Sequence, residues 1–196
     1  MKKIITVLAV AVIGMTVNAA SVTWSIANVK TPNEATLDPT TGIMSSSTTA
    51  ANGYVALLYL TAQSSDFGGT VVNRDAIIAD IAAGNISSAY IANTALNSNG
   101  GLVSFATGYN GSDFASGDSL TAFTVIFDVT DIADIDEATA FMVTDNKTVS
   151  FTSSTGAKPF AFGNQSAATW QAIPEPTSGL LMLVGLTGLA LRRRRA

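Results

Sequence analysis

Ser119-Leu-Thr-Ala-Phe-Thr-Val-Ile-Phe-Asp-Val129 is the stretch on which the fold turns. Its apolar residues alternate: Phe123, Val125, Phe127 and Val129 take one face, Leu120, Ala122 and Ile126 the other. A period of two belongs to a β-strand, and apolar side chains on both faces place that strand inside a sheet covered on both sides. Tyr54-Val-Ala-Leu-Leu-Tyr-Leu-Thr61 has the same character and reads as a second central strand. Residues 21–29 set Val22, Trp24 and Ile26 against Ser21, Thr23 and Ser25, the pattern of a half-buried strand. Residues 102–107, 141–144, 148–152, 158–162 and 168–173 are further strand segments, and Asp145-Asn146-Lys147 reads as a hairpin turn between two of them.

Elsewhere the period changes. Asn73 can cap a helix over 74–83, with Asp75 in its first turn, Ile77, Ile78 and Ile81 on one face, and Gly84 as its stop. Residues 31–52 are rich in Thr, Ser, Pro, Asn and Gly and read as a long loop with room for one short strand, while 86–96 has room for a second short helix. The fold expected is mainly β: an antiparallel β-sandwich or flattened barrel with one or two short helices.

Composition narrows the chemistry. The 196 residues contain no Cys and no His. Disulfides, thiolate nucleophiles and Cys metal ligands are excluded, and so are the commonest general base and the commonest zinc ligand. The positive charge is concentrated at the ends, in Lys2, Lys3 and Arg192 to Arg195. Residues 20–173 hold four cations (Lys30, Arg74, Lys147, Lys158) against thirteen acids, a net charge of −9. Such a body repels phosphate backbones, so no nucleic-acid partner is expected. The glycines follow neither the Walker nor the dinucleotide spacing.

Asp128, Asp131, Asp134, Asp136 and Glu137 crowd the end of the best strand. Ca²⁺ takes oxygen ligands of this kind, although the EF-hand spacing and its glycine are missing. The same residues read more simply as solvated acids that keep the domain soluble. Trp24, Trp170, Tyr54, Tyr59, Tyr90 and Tyr109 offer rings on which sugars stack, yet aromatics at strand positions are more often core. A carboxylate pair for glycoside hydrolysis depends on a separation in space that the sequence does not carry.

The two ends have the order of addresses. Met1-Lys2-Lys3 is a short positive region, Ile4 to Val17 an apolar one, and Val17-Asn18-Ala19 puts small residues where a leader peptidase cuts. This is the plan of a secretory signal peptide over 1–19 with cleavage after Ala19. At the other end Pro174-Glu175-Pro176 forbids regular structure and makes an extended hinge over 174–178. Residues 179–191 are uncharged and rich in Leu, and Arg192, Arg193, Arg194 and Arg195 follow. An apolar helix ending in four guanidinium groups keeps those groups on the cytoplasmic side. At 1.5 Å per residue a 13-residue helix reaches roughly 20 Å against a hydrocarbon core of about 30 Å, a span better suited to a temporary anchor.

The Pro-Glu-Pro triplet, the Leu- and Gly-rich helix and the terminal Arg cluster together resemble the PEP-CTERM sorting signal of bacterial exported proteins. The resemblance covers 174–196. It implies export through the Sec translocon, a transient stay in the inner membrane, cutting near the hinge by exosortase (a membrane-embedded protease-like transpeptidase), and release to the cell surface or extracellular matrix, commonly beside exopolysaccharide. The expectation for 20–173 is a β-rich extracytoplasmic domain without catalytic residues. A carbohydrate-binding module and a small carboxylate-dependent hydrolase are the alternatives.

Overall fold

The computed structural model describes residues 22–63, 70–106, 118–150 and 158–174. The expected leader with Ala19, Tyr109, and the C-terminal signal from Glu175 onward, with its helix and Arg192 to Arg195, lie outside the described residues. In chain order the strands are β1 (Val22–Ala27), β2 (Lys30–Pro32), β3 (Ile43–Ala50), β4 (Val55–Gln63), β5 (Ala92–Ala95), β6 (Leu102–Ala106), β7 (Ser119–Phe127), β8 (Ala140–Val143), β9 (Lys147–Ser150), β10 (Lys158–Asn164) and β11 (Thr169–Ala172). One α-helix, α1 (Arg74–Ala82), follows β4, and 3-10 turns occupy Glu34–Thr36 and Ile132–Glu137. The protein is mainly β with few helices, as its alternation predicts. Among the described residues no helix is long and apolar enough to cross a membrane.

β7 and β4 lie at the heart of a curled antiparallel sheet ordered β2-β3-β11-β8-β7-β4-β5, with β9 also alongside β7. A smaller sheet, β10-β1-β6, supplies the cover for one face. Between the two sheets pack Trp24, Ile26, Phe160 and Phe162 from the smaller, and Leu58, Leu60, Leu120, Ile126, Met142 and Trp170 from the larger. The opposite face of the larger sheet carries Leu57, Tyr59, Phe123, Val125, Phe127 and Phe141, and α1 lays Ile77 and Ile81 upon it. The two-faced apolar pattern of β7 and β4 therefore has its cause in two separate cores. Burying each such side chain is worth about 1.5–3 kcal/mol.

The two indole N–H groups carried into this core are met there. The Trp24 indole N–H donates to Thr124 Oγ1 at 3.0 Å across the gap between the sheets. The Trp170 indole N–H donates to the Lys30 carbonyl, also at 3.0 Å. Both tryptophans are fully buried. A second junction joins three loops. Val29 N–H donates to the Gly100 carbonyl at 2.7 Å, and Ala51 N–H to the Val29 carbonyl at 3.1 Å. Gly100 has φ +67°, and a Cβ there would stand 2.0 Å from the Val29 carbonyl oxygen. Only glycine fits.

Four expectations need correction. Residues 145–147 do not make a hairpin: β8 and β9 both pair with β7, Val143 opposite Val125 and Lys147 opposite Ala122. Thr144, Asp145 and Asn146 thus stand opposite only Phe123 and Thr124, a bulge of one extra residue. Thr144 holds the place by donating its N–H to the Thr124 carbonyl and accepting Thr124 N–H on its Oγ1, both at 2.9 Å. Asp and Asn are exposed here as a bulge tip, for which turn composition is a poor discriminator. The expected 31–52 loop contains β3, eight residues long, which pairs β2 on one side and β11 on the other. Its hydroxyls hide the strand from a hydrophobicity reading because only Met44 of this strand is buried. Residues 86–96 hold β5 in place of a second helix, paired to β4. Finally, the sheets are not wholly antiparallel, since β1 runs parallel to β10.

Thr124→Val keeps the side chain's shape but leaves the Trp24 N–H without an acceptor, and should cost about 1–3 kcal/mol in urea unfolding. An unchanged midpoint would show that bond to be idle. Gly100→Ala combines a positive φ with a clash against backbone and should lower stability by about 2–5 kcal/mol, measured in the same way.

Candidate functional site

At the end of α1 the chain stops as Gly84 dictates. Gly84 takes φ +81°, its N–H donates to the Ile81 carbonyl, and Asn85 N–H reaches back to the Asp80 carbonyl, each at 2.8 Å. This double closure is a Schellman motif, and it turns Asn85 and Ile86 sharply away from the helix axis. The Tyr59 hydroxyl then pins the outgoing loop by donating to the Ser87 carbonyl at 2.9 Å. At the other end of the helix Asn73 Oδ1 accepts Ala76 N–H at 3.0 Å, as the capping pattern predicts.

The acidic stretch lies across from this loop. Asp128, at the end of β7, accepts Thr139 N–H at 2.9 Å and Ala140 N–H at 3.1 Å on Oδ1, and the Thr139 hydroxyl at 2.6 Å on Oδ2. Those three bonds close the excursion 129–138 at its base. Asp131 Oδ1 accepts Ala133 N–H at 2.9 Å and so caps the Ile132–Glu137 turn. Asp134, Asp136 and Glu137 are exposed along it. Of the five acids grouped by sequence, two therefore serve the backbone, and Asp136 and Glu137 line a cavity. Among the described residues no three acids gather closely enough to hold a metal ion.

That cavity is an open cleft of about 520 Å³ between the Ala83–Ile86 corner and the 135–139 segment. Ile86, Ile135, Ala138 and Ile173 supply its apolar walls, and Asn85, Asp136 and Glu137 its polar margin. The last described residues complete it. Ile173 N–H donates to the Thr139 carbonyl at 2.8 Å, and Pro174 stands exposed at the edge. Among the described residues the last backbone hydrogen bond thus falls one residue before the Pro-Glu-Pro triplet. Glu175, Pro176 and Arg192 to Arg195 continue outside the described residues.

Sequence reasoning did not find Asn85, Ile86, Thr139 or Ile173 as neighbours. The Gly84 stop was the one signal of a corner, and the meeting of that corner with 135–139 is made by tertiary packing alone. The aromatic candidates go mainly to the core: Trp24, Trp170 and Tyr59 are fully buried, Tyr54 packs edge-on to Trp170, and Tyr90 edge-on to Tyr59. Among the described residues no tryptophan or tyrosine is exposed, so none of them forms a flat platform for a sugar. Asp136 and Glu137 are adjacent in sequence and both exposed, an arrangement without the separated, enclosed carboxylates of a glycosidase.

No protein-family model, curated protein or solved structure matches this chain. The site's chemistry rests on its own residues.

Burial, with a smaller push from Tyr90, raises the Tyr59 hydroxyl above the ordinary tyrosine value of 10.0. The unfolded chain therefore loses this proton first, and stability present below pH 10 should fall as pH rises beyond it. Tyr59→Phe should flatten that alkaline loss, at the expense of the Ser87 contact. Thermal melts of both chains across pH 9 to 11, roughly one unit to either side of the tyrosine value, check it. Equal slopes would assign the loss to other groups.

Proposed function

We propose that this chain is an exported bacterial protein of the PEP-CTERM kind, whose ends are addresses and whose body is a non-catalytic surface or matrix component. The leader over 1–19 takes it to the Sec translocon, and Ala19 marks the cut. The apolar 179–191 helix and Arg192 to Arg195 hold it in the inner membrane while exosortase works at Pro174-Glu175-Pro176. The product then reaches the cell surface or the extracellular space, beside exopolysaccharide. The observation that carries this reading is the three-part order of hinge, apolar helix and arginine block in the sequence. The exposure of Pro174, one residue beyond the Ile173 N–H that bonds the Thr139 carbonyl, supports it, because a protease needs an accessible substrate.

For the body itself, the finer architecture we assign is a sandwich closing toward a flattened barrel, supported by the shared core of Trp24, Phe160, Leu58 and Met142. Its role is that of a compact acidic module. The lack of His and Cys and the solvated state of Asp136 and Glu137 favour a non-catalytic part over a hydrolase.

Mass spectrometry of the protein from cells with and without the exosortase tests the address. The expected result is a C-terminus shortened to the neighbourhood of the hinge only where the enzyme is present. An identical, full-length C-terminus in both strains would defeat the reading.

A further inference from the structure

The cleft beside the hinge has a use that the sorting signal does not assign to it. Its walls are apolar, its margin is negative, and one wall is the run of chain that becomes the hinge. Ile86 and Ile135 both line it, with Ala138 and Ile173 completing the apolar surface. Asp136 and Glu137 stand at the margin, both exposed.

The same side also receives the C-terminal end of α1. That end carries partial negative charge, and no basic residue in the last turn offsets it. Among the described residues no lysine or arginine lines the cleft. A neighbour that fills this space must therefore bring an apolar side chain for the walls and a cation for the margin. A volume of about 520 Å³ lies within the roughly 300–1,000 Å³ that binding clefts occupy.

Position selects the occupant. Ile173 and Pro174 line the cleft, and Glu175 is the next residue. Any protein that grips 174–176 as an extended peptide comes within one or two residues of these walls, since an extended chain advances only about 3.3 Å per residue.

We infer that the cleft is a docking site for a basic, apolar-tipped segment of the membrane enzyme that cuts the hinge. This inference rests on the sorting reading and adds to it. The triplet supplies the bond to be cut, and the folded body supplies a second grip that brings this substrate to the enzyme. The margin acids act by attraction before contact and by pairing after it. Rim charges of this kind chiefly set the rate of encounter. The body thus takes part in its own processing, and a hinge fused to an unrelated domain is a poorer substrate than the hinge on this one.

The test follows the full chain by pulse-chase in exosortase-bearing cells, reading the rate at which the shortened C-terminus appears. Asp136→Asn with Glu137→Gln removes both margin charges. Asp75→Asn with Asp145→Asn removes two exposed charges away from the cleft and serves as the matched control. Each purified chain is melted to establish that it folds. The margin pair should be processed about fivefold to tenfold more slowly than wild type, and the control pair at the wild-type rate. Asp136→Lys with Glu137→Lys should slow it further. If margin and control pairs are processed at one rate, the docking site is overturned while the sorting reading stands. If wild type itself keeps an intact C-terminus, the sorting reading falls and takes this inference with it.

Discussion

An indole N–H that enters a dry core must find an acceptor there, and this fold is arranged around meeting that demand twice. Trp24 reaches across from the smaller sheet to Thr124 on the central strand of the larger. Trp170 reaches from β11 to the backbone at Lys30. An unmet donor costs about 1–3 kcal/mol, a large part of the stability of a domain this size. Thr124 is itself held by Thr144, whose hydroxyl and backbone N–H bracket it at the bulge between β8 and β9. Bulge, threonine and indole form one connected device. It fixes how the two sheets are placed against each other, in a way that apolar contact alone, being non-directional, cannot.

With one face of the larger sheet closed by the smaller sheet, the other is left to α1. The helix covers β4 and β7 through Ile77 and Ile81, then ends at Gly84. The 129–138 excursion rises from the end of β7, tied at its base by Asp128. A helix end and a tied excursion on one side of a sheet leave a space between them. The chain leaves its last strand along that space, so the cleft and the exit are one place. Asp128 satisfies the backbone at the base of the excursion and Asp131 caps its turn, while Asp134, Asp136 and Glu137 stand exposed along it.

What the sequence disclosed, and what it withheld, follows from the range of the interactions involved. The strands at 54–61 and 119–129 were legible because both faces are apolar and the period is two. The helix was legible to its caps, since Asn73 and Gly84 act on neighbours within four residues. β3 is obscured because its hydroxyls serve other polar groups, Ser45 pairing with Thr36 and Ser47 with Thr31 and the Thr49 N–H, and hydrophobicity says nothing of them. The bulge reads as a turn in sequence because exposed Asp145 and Asn146 suit both, and only a partner strand distinguishes a reversal from a detour. The cleft was illegible for the same reason on a larger scale: its walls come from residues near 85, 137 and 173. Of the grouped acids, spacing suggested a cluster, while geometry divided them between capping and the cleft margin.

The parallel partnership of β1 and β10 has a consequence for the order of events in synthesis. Asn28 and Asn164, at the ends of these strands, are 136 positions apart and within reach of a side-chain hydrogen bond. Trp24 is among the first body residues made, yet the strand on one of its flanks is among the last. A nascent chain stalled anywhere before that strand is left with an open seam, and the loop that closes it is long and entropically slow. The domain therefore completes itself late, as nearly the whole length arrives.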